Sequence, residues 1–315
     1  MGRGHPLTRN RSAISTSPQG EVNFPSPRGE GGARRRRRRE GEGARAARCG
    51  SPAGRSGMAF GCRILLAVLF AALAAPGWGA DLTRDQVVAA LARATPAVPA
   101  DFSGKSLEKV DLSRLDLSGA KFAGADLFAA KLEDSNLTGA DLTGANLGLA
   151  WVIRANFTGA DLSRANVQGL VVASGLQTNA AEAPVFLRTK FAGARVIARF
   201  GGFDLRGADF TGARLAVDMR NQSMGILRAD FSGARLEGAS FAGADLGRAW
   251  FRFAKLQGAR FTGANLLHVD FSGADLTGAD LTGADATGAD FGGAVLAGAV
   301  GLDTVKGLDP AIPRR

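Results

Sequence analysis

Ala140-Asp141-Leu142-Thr143-Gly144 and Ala274-Asp275-Leu276-Thr277-Gly278 are two copies of one five-residue unit. In looser form, Ala-(Asp/Asn)-(Leu/Phe)-(Ser/Thr)-Gly, the unit recurs from Asp116 to about Leu296. A helix repeats every 3.6 residues and a flat strand every 2, so neither buries one large apolar residue in five. A chain that turns a corner every five residues does, and it winds into a solenoid.

With the Leu or Phe taken as the centre of each unit, one unbroken register runs from Leu107 through Leu112, Leu117 and Phe122 to Val167 and Val172. A second runs from Ile226 through Phe231, Leu236 and Phe241 to Phe291 and Leu296. Two positions before the centre stands Ala, as at Ala120, Ala145, Ala234 and Ala264. One large and one small residue per unit suit a narrow interior at native packing density. Gly or another small residue at the corner permits backbone angles that a Cβ would penalise.

These residues resemble the pentapeptide-repeat family, over about 105–300. The resemblance implies an all-β solenoid, a right-handed quadrilateral β-helix with four units, or twenty residues, per coil. The 189 residues from Leu107 to Leu296 then make about nine coils, a rod of roughly 45 Å at β-strand spacing.

Solenoid ends expose backbone edges that need covering. Thr83-Arg84-Asp85-Gln86 reads as a capping box, with Val87, Val88, Leu91 and Ala94 on one helical face and Pro96 beyond. A capping helix is expected over 83–94, within an N-terminal cap of 80–104. Residues 301–315, with Pro310 and Pro313, read as a frayed tail. Inside the repeat, the intervals Val172 to Phe191, Val196 to Leu205 and Leu215 to Ile226 each miss a multiple of five by one residue. Bulges or loops in 173–225 account for this, with 173–190 and 216–225 the segments expected to leave the rod.

The net charge of +10 comes from the first eighty residues, which hold 14 Arg and 4 acidic residues. The other 25 cations and 25 carboxylates cancel. A nucleic-acid footprint needs clustered cations on the folded part; none is read there, and no nucleic-acid partner is expected. Residues 1–57, with the block Arg34 to Arg39, have the Gly, Ser, Pro and Arg composition of a disordered tail. From Met58, a basic residue at Arg63, the apolar run 64–75 and small residues up to Gly79 read as a signal peptide over 58–79. Residues 1–57 are then an over-extended start, and the mature protein is exported, periplasmic or secreted, with no membrane span. Cys49 and Cys62 both precede that mature chain, which excludes disulfides, zinc thiolates and cysteine catalysis from it.

The many Asp residues do not form an acid–base or metal site on this frame. Asp275, Asp280, Asp285 and Asp290 fall on four different sides. Lys255 stacks above Asp275 and Arg260 above Asp280, as solvated ion pairs across coils. His268 is the one histidine of the mature chain and faces solvent. No catalytic constellation, metal site or cofactor is expected.

Aromatics outside the core are more informative. Trp151 and Trp250 stand just before centres, where Asp or Asn is usual, and so point outward. Arg154, Arg252 and Phe253 lie near them, and Arg220 lies in the irregular middle. The centres Val152 and Phe251 are 99 residues apart, near five coils, so both tryptophans share a face if the middle keeps the winding. Exposed Trp and Arg are typical binding hot spots.

The leading expectation is a non-enzymatic exported scaffold that meets a protein or envelope partner; end-to-end dimers fit the same frame. One alternative comes from the resemblance: some members of the family mimic duplex DNA and bind gyrase. That role asks for a strongly acidic surface. The other is a glycan or small-ligand binder using 173–225, with Phe186, Phe200, Phe203 and Arg220.

Overall fold

The computed structural model describes residues 79–174, 180–216 and 228–308. All described residues belong to one compact unit, Phe70–Arg315. The stretch 1–57 read as a disordered tail, nearly all of the stretch 58–79 read as a signal peptide, Arg220 and the centre Ile226 lie outside the described residues.

The unit around Leu142 places all five of its backbone N–H groups, as a backbone removed from water must. In the unit around Leu142, the Asp141 N–H donates to Ala120 O of the preceding coil (3.0 Å). Leu142 N–H donates to Asp161 O (2.8 Å) and Gly144 N–H to Ser163 O (2.8 Å) of the next coil, and Ala145 N–H closes the turn on Leu142 O (3.0 Å). The Thr143 N–H remains, and the Asp141 carboxylate accepts it at 3.0 Å. This explains why the position before the centre is Asp or Asn: a short acceptor there satisfies the N–H two residues on. Asn136, Asn156 and Asp275 do the same for Thr138, Thr158 and Thr277.

The units build four ladders of parallel bridges, one per side of the coil. Side a runs Asp101, Lys121, Asp141, Asp161, Lys190, Asp209, Ser240, Arg260, Asp280, Val300. Side b starts at Ser106 and passes through β1 (Asn166–Gln168) and β2 (Arg195–Ile197), paired in parallel, to Lys306. Side c holds Asp111, Lys131, Trp151 and Val171, then Arg199, Asp230, Trp250, Asp270 and Asp290. Side d starts at Asp116 and ends at Val295. Arg199 falls between Arg195 (side b) and Asp204 (side d) as Val171 falls between Asn166 and Val185, so both parts of side c lie on one side.

The interior is filled by the centres and the small residues. Twelve Phe side chains are fully buried, and rings on one side stack coil over coil. Phe191, Phe210, Phe241 and Phe261 follow one another at 4.6, 4.9 and 5.1 Å. Phe186, Phe200 and Phe203, expected as ligand-facing aromatics, are buried in this core. Phe200 takes a centre only four residues after Val196, and Phe203 occupies the place where other units have Ala, so the irregular spacing packs extra rings inward.

Helix α1 (Arg84–Leu91) has the capping box of Thr83 and Gln86 and buries Val87. It is shorter than the expected 83–94, because Arg93 and Ala94 donate three residues back rather than four, and Val88 is exposed. At the other end, Leu302, Val305 and Leu308 are buried, so 301–308 packs on the rod instead of fraying. Among the described residues no helix is long and apolar enough to cross a membrane.

Candidate interaction face

Large side chains at the corners distinguish side c from the others. Among the described residues, eleven non-glycine residues adopt positive φ. Five of them (Lys109, Ala129, Leu149, Arg248, His268) sit at the corner between sides b and c, and four (Arg114, Asp134, Arg154, Phe253) at the corner between c and d. Arg164 and Arg188 are the other two. The expectation of a small corner residue fails at these positions. A Cβ in this region costs about 1–2 kcal/mol, and such outliers cluster where a surface has a task.

Trp151 and Trp250 both lie on side c, but four ladder steps apart rather than five. The steps take 20, 28, 31 and 20 residues (151, 171, 199, 230, 250), so insertions absorb what would have been another coil. At β-ladder spacing the two residues are about 19 Å apart. Both insertions open at the edges of side c: one between Val171 and Val185, the other between Arg214 and Asp230.

Near the N-terminal end, side c forms a groove of about 410 Å³ lined by Arg84, Asp111, Ser113, Arg114, Lys131, Glu133, Asp134 and Arg154. Arg84 reaches in from α1 and donates to Asp111 O (2.7 Å) and Ser113 O (2.9 Å). Arg154 donates to both Asp134 oxygens, at 2.5 and 2.8 Å, which holds the Asp134 carboxyl below its usual range. Trp151 is 39% exposed, while Ile153, two residues on, is buried.

Around Trp250 the arrangement differs. The guanidinium carbons of Arg228 and Arg252 lie 4.3 and 4.4 Å from the indole centroid. Arg252 is also paired with Asp270. Phe253 is 72% exposed. Its ring lies against Gly273, where an added Cβ would come within 2.5 Å of it. Sequence reasoning named Trp250, Arg252 and Phe253 but not Arg228, which stands two places after the centre Ile226, at the corner position of its unit. Arg220 lies outside the described residues.

Charge is segregated along the rod. Residues 186–216 and 228–260 hold 12 Lys and Arg against 5 Asp and Glu, a net +7. Residues 263–308 hold one Lys against six Asp, a net −5. The zero sum over 81–315 conceals this polarity. The stacked pairs expected as ion pairs are also used otherwise: Asp275 accepts from Gln257 (2.6 Å) and Thr277 (2.6 Å), and Asp280 from Thr262 (2.9 Å). Hydrogen bonds from Thr277 and Thr282, more than charge, hold those two carboxyls low.

This architecture is a four-sided β-helical solenoid. Residues 100–170 and 229–300 match the family of pentapeptide repeats in eight copies, and across these stretches the chain belongs to that family, whose fold is right-handed. Among solved structures, it is similar to HetL of Nostoc sp. strain PCC 7120, a pentapeptide repeat protein involved in heterocyst differentiation regulation. The identity is 29%, over 69% of this chain and 94% of HetL, with a TM-score of 0.35. Rfr23 of the cyanobacterium Cyanothece 51142 shares 20% identity over 53% of this chain and 90% of its own (TM-score 0.27). QnrB1, a plasmid-mediated fluoroquinolone resistance protein, shares 20% over 63% and 90% (TM-score 0.26). No curated protein matches the chain.

Proposed function

We propose that the chain is an exported, non-enzymatic scaffold whose side c binds a protein or envelope partner. The observation that carries this reading is the asymmetry of the rod. Nine of the eleven strained corner residues, both tryptophans and both insertions belong to one side of four. A solenoid needs none of these for its own stability, and exposed Trp and Arg on rigid elements suit binding. The Asp carboxylates, the most numerous groups capable of acid–base work, are committed to N–H groups of their own turns, which supports a non-catalytic role.

The test is photo-crosslinking in intact cells from side c and from side a, combined with fractionation and N-terminal sequencing. A partner linked from 151 and 250, lost with Trp151→Asp or Trp250→Asp and not linked from 240 or 260, supports the proposal. Equal linking from sides a and c overturns it. Mature protein beginning before Met58 overturns the export reading.

Gyrase binding, the other role that the resemblance suggests, needs an acidic surface. The coils over 186–260 are net basic, which weighs against it. A supercoiling assay in which stoichiometric protein protects gyrase from its inhibitors would favour that role instead.

A further inference from the structure

We propose that side c around Trp250 binds an acidic polysaccharide, with Phe253 as the stacking surface and Arg228 and Arg252, laid on the Trp250 indole, as the anion-binding groups. The inference rests on the proposed function, which makes side c the interaction face of an exported chain. Three observations carry it further.

The first is charge. Trp250 lies within the coils whose described residues carry 12 cations against 5 carboxylates, while the coils beyond residue 263 are net negative. A polyanion is attracted to the middle of the rod and repelled by its C-terminal end.

The second is the chemistry of the cluster. Guanidinium groups bind carboxylate or sulfate through paired N–H donors and are weakly hydrated, so they also rest on aromatic faces. Arg228 and Arg252 are both held over the indole. Asp270 fixes Arg252, and among the described residues Arg228 has no carboxylate partner; the indole beneath positions both guanidiniums. The exposed Phe253 ring adds planar apolar surface beside these charges, and the C–H face of a sugar ring packs on such surface.

The third is shape. Side c at Trp250 is a ladder of parallel bridges through Asp230, Trp250, Asp270 and Asp290 that runs along the rod, and Phe253 is pressed onto Gly273. A rigid strip along the rod favours an extended polymer over a small molecule enclosed on several sides. Single-stranded nucleic acid would share the charge, but it calls for a run of aromatics along a basic groove. Here the rings are confined to one site and the cations are spread over all four sides.

The experiment uses the full chain with polygalacturonate as the probe, followed by tryptophan fluorescence and calorimetry. Dextran, polyglutamate and oligothymidylate serve as comparison ligands. Binding of polygalacturonate well above dextran is expected, weakening with added salt. The double variant Arg228→Gln/Arg252→Gln should lose roughly tenfold or more in affinity, and Trp250→Ala a similar amount. Ser240→Ala, on side a, should bind as the parent does. Arg252→Lys should fall between the parent and Gln, because it keeps the charge without the planar fork. Melting curves matching the parent ensure that a loss reflects binding. The inference is overturned if dextran binds equally well, if the Gln variants bind unchanged, or if polyglutamate or oligothymidylate binds more tightly. Should polygalacturonate ignore Trp250 while side c still crosslinks a protein in cells, this inference fails and the proposed function stands.

Discussion

Removing one ring from the phenylalanine stack should be far more damaging than removing the outward tryptophan two corners away. Phe241 is fully buried. It stacks on Phe210 and Phe261 at 4.9 and 5.1 Å. It also meets Phe231 and Phe251 edge-on at 5.8 and 5.4 Å. Phe→Ala in a packed core costs about 3–5 kcal/mol, partly from lost burial and partly from the cavity. Four ring contacts with backbone-tied neighbours leave little room to collapse, which places Phe241→Ala at the upper end of that range. Phe241→Leu should cost far less, roughly 1–1.5 kcal/mol, because Leu is the centre at Leu236 and Leu246 in the same coil. Trp250→Ala, on the outward position, should stay near 1 kcal/mol or below. Urea unfolding followed by circular dichroism gives all three values. If Phe241→Ala costs less than Trp250→Ala, the bulky residues are not the interior and the reasoning fails.

The remaining expectations concern the turns. Asp280→Ala removes the acceptor for the Thr282 N–H and the Thr262 hydroxyl and should cost about 1–2 kcal/mol in urea unfolding; Asp280→Asn should recover most of it, as native Asn does at Asn156. Gly278 and Gly301 both have positive φ, but a Cβ at Gly278 meets open space and one at Gly301 comes within 2.5 Å of the Thr282 Cα. Gly278→Ala should therefore cost only the conformational term of about 1–2 kcal/mol, whereas Gly301→Ala should raise amide exchange across 281–308. Acid should weaken the rod in a defined window. Carboxyls such as Asp111, Asp116 and Asp275 sit below their ordinary value through hydrogen bonds from the next-but-one residue. Asp285 lies at about 2, with Lys306 the main cause. A depressed folded pKa adds stability that is present above the unfolded value and is lost as pH falls through the folded one. The melting temperature should thus be level from neutral pH to about 5 and fall between about 4 and 2.

What could be read in the sequence was whatever the five-residue beat carries. It gave the inward Leu and Phe, the Ala beside them, the outward Trp151 and Trp250 and the capping box at Thr83, because each of these follows from position within the unit. Ion pairing across coils occurs at Arg154–Asp134 and Lys306–Asp285 rather than at the expected Asp275 and Asp280, and the main role of Asp in the turn was missed, since counting charges does not reveal a spare N–H two residues away. Phe200 and Phe203 were misplaced because a four-residue unit shifts every later position by one. The same bookkeeping made the tryptophans five coils apart instead of four, as insertions and whole coils add to the same number of residues. Arg228 and the basic middle went unnoticed for a different reason: a net charge of zero hides two blocks of opposite sign.

The winding that puts 151 and 250 on one side is open to a single distance measurement. In a chain with Cys49 and Cys62 changed to Ser, Trp151→Cys and Trp250→Cys can carry spin labels for pulsed electron spin resonance. Four ladder steps on a shared side should give a separation of about 20 Å. A distance beyond about 30 Å, more than six ladder steps, would contradict the shared side and the functional reading built on it.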